Sequence, residues 1–63
     1  MFYVVAVNDR TVTAKSSAAL YRYLKSLTMS VDLATTITEW ANKADIGDTY
    51  DGNTFTVTAI AAT

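Results

Sequence analysis

Val31-Asp32-Leu33-Ala34-Thr35-Thr36-Ile37-Thr38-Glu39-Trp40-Ala41-Asn42-Lys43-Ala44 is the stretch on which the fold turns. Leu33, Ile37, Trp40, Ala41 and Ala44 recur at the spacing of one helical face. Against that, Thr35-Thr36-Ile37-Thr38 is β-branched and has poor helix propensity. Ser30 stands where an N-cap belongs, and Asp32 falls in the first turn, where a carboxylate favours the positive end of the helix dipole. Glu39 and Lys43 make an i, i+4 pair worth about 0.2–0.5 kcal/mol. The stretch therefore reads as an amphipathic helix held by docking of its Trp40 stripe, with a strand as its competitor. Gly47 is placed to end it in a left-handed conformation.

Upstream, Leu20, Tyr23, Leu24 and Leu27 form a second helical stripe, with Lys15, Arg22, Lys25 and Ser26 on the other side. Ser16 or Ser17 caps this helix, which spans about residues 17–27. Nearer the N-terminus, Phe2 to Val7 is apolar on both faces and reads as a central strand. Asn8-Asp9-Arg10 is a turn signal, and Thr11-Val12-Thr13 a short returning strand. Downstream, Asp48-Thr49-Tyr50 precedes Asp51-Gly52, a two-residue hairpin signal. From Asn53 to Ala61 the chain alternates, with Phe55, Val57, Ala59 and Ala61 on one face and Thr54, Thr56, Thr58 and Ile60 on the other.

The order is ββααββ. Residues 1–63 form one α+β domain, a small antiparallel sheet with two amphipathic helices packed on one face. The first strand pairs with the last, and the helical stripes cover Phe55 and Val57.

The residue types that are missing narrow the chemistry. The chain has no His, Cys or Pro. Disulfides, thiol nucleophiles, Cys- or His-based metal centres and His-assisted hydrolysis are excluded. Lys15-Ser16 and Lys25-Ser26 are neighbours in sequence only, because consecutive helical side chains point apart. Asp45, Asp48 and Asp51 recur every third residue, which does not match the calcium-loop pattern of alternate ligands before a Gly. Each has a local task at a helix end, a strand start or a turn. Gly47 and Gly52 lie in no phosphate-cradling loop. The expectation is a protein without cofactor or metal, and not an enzyme. The apolar segment 1–7 is far shorter than the roughly 20 residues of a spanning helix, so the chain is expected to be cytoplasmic with no membrane partner.

Charge is unevenly spread. Residues 1–31 hold Arg10, Lys15, Arg22 and Lys25 against Asp9, whereas residues 32–63 hold Asp32, Glu39, Asp45, Asp48 and Asp51 against Lys43. The five carboxylates of the second half form a candidate surface for a basic protein. Tyr21 and Val31 lie off their stripes and add an apolar patch. Such a non-enzymatic protein-interaction module has the size and acidity of a small bacterial or phage accessory or inhibitor protein. A second expectation is self-association, through a strand edge at Thr11-Val12-Thr13 or at Thr54–Thr58, giving a homodimeric structural protein. A third is weak nucleic-acid binding by Lys15, Arg22 and Lys25, beside Tyr21. The acidic pI of about 4.9 opposes that third reading.

Overall fold

The structure, a computed structural model, describes residues 1–62. The chain runs β1 (Phe2–Val7), β2 (Arg10–Ala14), α1 (Ser17–Ser26), α2 (Val31–Lys43), β3 (Thr49–Asp51) and β4 (Phe55–Ile60). The four strands form one antiparallel sheet in the order β2-β1-β4-β3. The first and last strands lie side by side at its centre, in register from Phe2 opposite Ile60 to Val7 opposite Phe55. The α+β fold is therefore the one the alternation and helical spacing imply.

Val7 opposes Arg10 across the first hairpin, so its loop is Asn8-Asp9, with Asn8 at φ 55°. A two-residue hairpin needs a positive φ, which Asn tolerates better than most residues. The helix α1 begins where the Ser16 hydroxyl accepts a 3.0 Å bond from the Ala19 N–H. It ends with Thr28 at φ 59°, its N–H donating to the Lys25 carbonyl at 3.1 Å. That left-handed position usually belongs to Gly.

The β-branched run in α2 is held helical by docking of Ala34, Ile37 and Ala41, and its hydroxyls are satisfied within the helix. Thr36 Oγ1 donates to the Asp32 carbonyl at 2.9 Å, and Thr38 Oγ1 to the Ala34 carbonyl at 2.8 Å. A threonine that bonds back one turn satisfies its polar atom without leaving the helix. The Ser30 hydroxyl accepts from the Leu33 N–H at 3.2 Å. The buried stripe is Ala34, Ile37 and Ala41. Leu33, expected on the stripe, is 38% exposed, because the docked face runs through Ala34, Ile37 and Ala41 and leaves Leu33 at its side. Trp40 is only half-buried. It lies edge-on to Tyr50 with ring centroids 5.7 Å apart, and Tyr50 stacks on Phe55 at 6.3 Å. These three rings tie α2 to the β3 margin of the sheet.

Both glycines act differently from the expectation. Helix α2 stops at Lys43 with Ala44 extended, and Gly47 (φ 97°) lies beyond it. There Asp48 N–H bonds the Asp45 carbonyl at 3.0 Å, a β-turn whose third residue needs positive φ. At the second hairpin Asp51 opposes Thr56, so the loop is longer than two residues. Asn53 takes the positive φ of 75°, and its N–H donates to Asp51 Oδ1. Gly52 is required for space, since a Cβ there would stand 2.2 Å from the Phe55 ring.

The core gathers one face of the sheet and the inner sides of the helices. Tyr3, Val5, Ala14, Phe55, Val57 and Ala59 face Leu20, Leu24, Ala34, Ile37 and Ala41. The Tyr3 hydroxyl donates to the Ala41 carbonyl at 3.0 Å. Among the described residues, no residue of a polar or charged type is buried.

Candidate functional site

Strand register decides which side chains share a face, because Cα partners in an antiparallel pair point the same way. Helices cover the face of Tyr3, Val5 and Phe55. The opposite face carries three rows. Phe2 lies beside Ile60. Val4 lies between Thr13 and Thr58, and Thr58 pairs with Thr49, the two hydroxyls 3.4 Å apart. Ala6 lies between Thr11 and Thr56, and Thr56 pairs with Asp51. None of these side chains belongs to the core, and Phe2, Val4, Ala6 and Ile60 are half-buried. Asp51, on the outermost strand, is the only charged residue among the strand positions of these rows.

This face was missed as a site in the sequence, although its signal was present. A strand apolar on both sides reads as buried on both sides. Here only one side of the sheet carries helices, so the Phe2, Val4 and Ala6 side of β1 faces outward. The alternation in β4 marks the same outward side with Thr56, Thr58 and Ile60.

The residues singled out from sequence are placed as follows. Asp32 opens α2, and Glu39 is exposed seven residues further along the same helix, roughly 10 Å at a helical rise of 1.5 Å per residue. Asp45 and Asp48 hold the turn after α2, where Asp48 Oδ2 accepts from the Asp45 N–H at 2.9 Å. Asp51 closes β3 and orders the next turn. Among the described residues no three carboxylates are grouped to hold a metal ion. Tyr21 is half-buried against the core, whereas Val31 is 55% exposed at the start of α2. Lys15 and Arg22 are exposed, and Lys25 Nζ donates to the Met29 carbonyl at 3.4 Å, across the connection between the helices.

Of the two strand edges expected at Thr11-Val12-Thr13 and Thr54–Thr58, one is an edge and the other is not. Strand β2, with Thr11–Thr13, is an edge. Thr56–Thr58 is not, because β4 is paired by β1 on one side and by β3 on the other. A cleft of about 420 Å³ opens between the first hairpin and the end of α1, lined by Val7, Asn8, Asp9, Arg10, Tyr23 and Leu27. Its charged groups are the exposed hairpin residues Asp9 and Arg10. Among the described residues, no helix is long and apolar enough to cross a membrane.

No protein-family model, curated protein or solved structure matches the chain.

Proposed function

We propose that this protein is a non-enzymatic protein-interaction module whose working surface is the open sheet face. The observation that carries the reading is the uncovered apolar and threonine surface centred on Val4 and Thr58. A sheet normally buries a hydrophobic face against another layer, and a largely apolar face rimmed by threonine, with one carboxylate at Asp51, offers that layer to a partner. The interior supports the same reading, since its hydrogen bond between Tyr3 and Ala41 serves packing and, among the described residues, no titratable carboxylate or amine is enclosed with it.

A basic partner on the carboxylates of α2 and the β3 margin is the second reading, favoured by the exposure of Asp32, Glu39, Asp45, Asp48 and Asp51. Copurification separates the two. Tagged wild type, Thr58→Lys and the double variant Glu39→Lys/Asp48→Lys are compared for the proteins they retain from the source cell. The open-face reading predicts that retention is lost with Thr58→Lys and kept with the double variant. The reverse pattern replaces it with the acidic surface.

A further inference from the structure

Resting on the open-face reading, we propose that the occupant of this face is a second copy of the chain, in a face-to-face dimer with a two-fold axis along the Thr13–Val4–Thr58–Thr49 row. Two observations carry it. The first is a gradient of side-chain size along the central strands. Outward positions shrink from Phe2 through Val4 to Ala6 on β1, and from Ile60 to Thr58 and Thr56 on β4. An axis along the middle row reverses strand direction in the second copy. It lays the bulky Phe2–Ile60 row of each copy over the small Ala6–Thr56 row of the other, and the middle row over itself. Large over small lets the two layers interdigitate as packed sheets do.

The second observation is charge. The outward strand positions carry no cation and one carboxylate, Asp51. The reversal places the two Asp51 side chains at opposite ends of the contact, so no like charges meet at its centre.

Size sets the expected strength. Strands of five, six, six and three residues, at about 3.3 Å per residue and about 4.8 Å apart, give a footprint of roughly 300 Å² per copy. Even with corrugation the pair falls short of the roughly 1,200 Å² of stable specific interfaces, so the dimer is a weak, concentration-dependent one.

The experiment combines mass with a single distance. Light scattering behind a sizing column is run on the full chain at about 10 μM to 1 mM, a range that populates a weak dimer. The mass is expected to rise from monomer to dimer for wild type and to stay monomeric for Thr58→Lys. The chain has no native Cys, so Thr58→Cys provides one labelling site. In the proposed dimer its two copies face each other across packed sheets about 10 Å apart, whereas an edge-to-edge dimer separates them by about 24 Å, five strand spacings. A short bismaleimide is therefore expected to cross-link Thr58→Cys. This readout does not depend on how well the Lys variant folds. A wild-type chain still monomeric at 1 mM, or a dimer whose Thr58→Cys sites do not cross-link, overturns the proposal. A monomer that retains another protein, and loses it with Thr58→Lys, overturns the dimer while leaving the open-face reading in place. Retention that does not depend on Thr58 overturns both.

Discussion

The hydroxyl of Tyr3 on β1 donates a 3.0 Å hydrogen bond to the carbonyl of Ala41 on α2, joining residues 38 positions apart. It fixes the height of the second helix above the sheet. The Ala41 carbonyl also accepts a longer bond, 3.4 Å, from the Ala44 N–H, so it is not orphaned when the phenol is removed. Tyr3→Phe is therefore expected to cost only about 0.5–1.5 kcal/mol, the net value of one hydrogen bond. Tyr3→Ala also removes the ring, and is expected to cost about 3–5 kcal/mol, enough to unfold a domain this small. Urea unfolding followed by circular dichroism separates the two.

Helix α2 provides a contrast between neighbours in sequence pattern. Ile37 is fully buried and Leu33 is 38% exposed. Ile37→Ala is predicted to destabilise by about 2–5 kcal/mol, and Leu33→Ala by under about 1 kcal/mol. Equal losses at the two sites would mean that the helix is rotated about its axis from the orientation described.

The two glycines should respond by different mechanisms. A Cβ on Gly52 meets the buried Phe55 ring, whereas one on Gly47 meets nothing within 4 Å and suffers only from φ 97°. Gly52→Ala is expected to cost about 1–3 kcal/mol through overpacking, and Gly47→Ala about 1–2 kcal/mol through backbone strain. In a double-mutant cycle the Gly52 penalty should shrink once Phe55 is cut to Ala, and the Gly47 penalty should not. Thermal melts of the four combinations at each glycine provide the readout.

Thr28 holds a left-handed backbone, φ 59°, at the end of α1. A β-branched residue there is strained, and Gly is free of that strain at some cost in unfolded-chain entropy. Thr28→Gly is predicted to raise stability by about 0.5–1 kcal/mol. A loss of stability would show that the Thr28 hydroxyl, which donates to the Leu27 carbonyl at 2.6 Å, outweighs the strain.

Much of the fold was legible because the local signals agree with one another. The i, i+3, i+4 stripe of α1, the Ser30 cap of α2 and the period-2 alternation of β4 all specify the same two layers. What failed depended on tertiary contact. The side of α2 that docks is chosen by the fit of Ala34 and Ala41, so Leu33 is left outside and Trp40 goes to the margin. Asp51-Gly52 reads as a two-residue turn, yet the Phe55 ring occupies the space over Gly52 and the loop opens to accommodate it. The acidic residues drew attention because carboxylates carry chemistry. The open face has almost no charge, and it becomes visible only when the helices are known to lie on one side of the sheet.

Methyl-resolved NMR over a concentration series tests the central claim most directly, because the outward sheet face and the helical surface report separately. The account predicts that Val4, Thr56, Thr58 and Ile60 shift together as concentration rises, while Val31, Thr35 and Thr36 on α2 stay fixed. Shifts confined to α2, or to Thr11 and Val12 at the β2 edge, would contradict it, as would a spectrum that does not change up to roughly 1 mM, a concentration at which a weak dimer is populated.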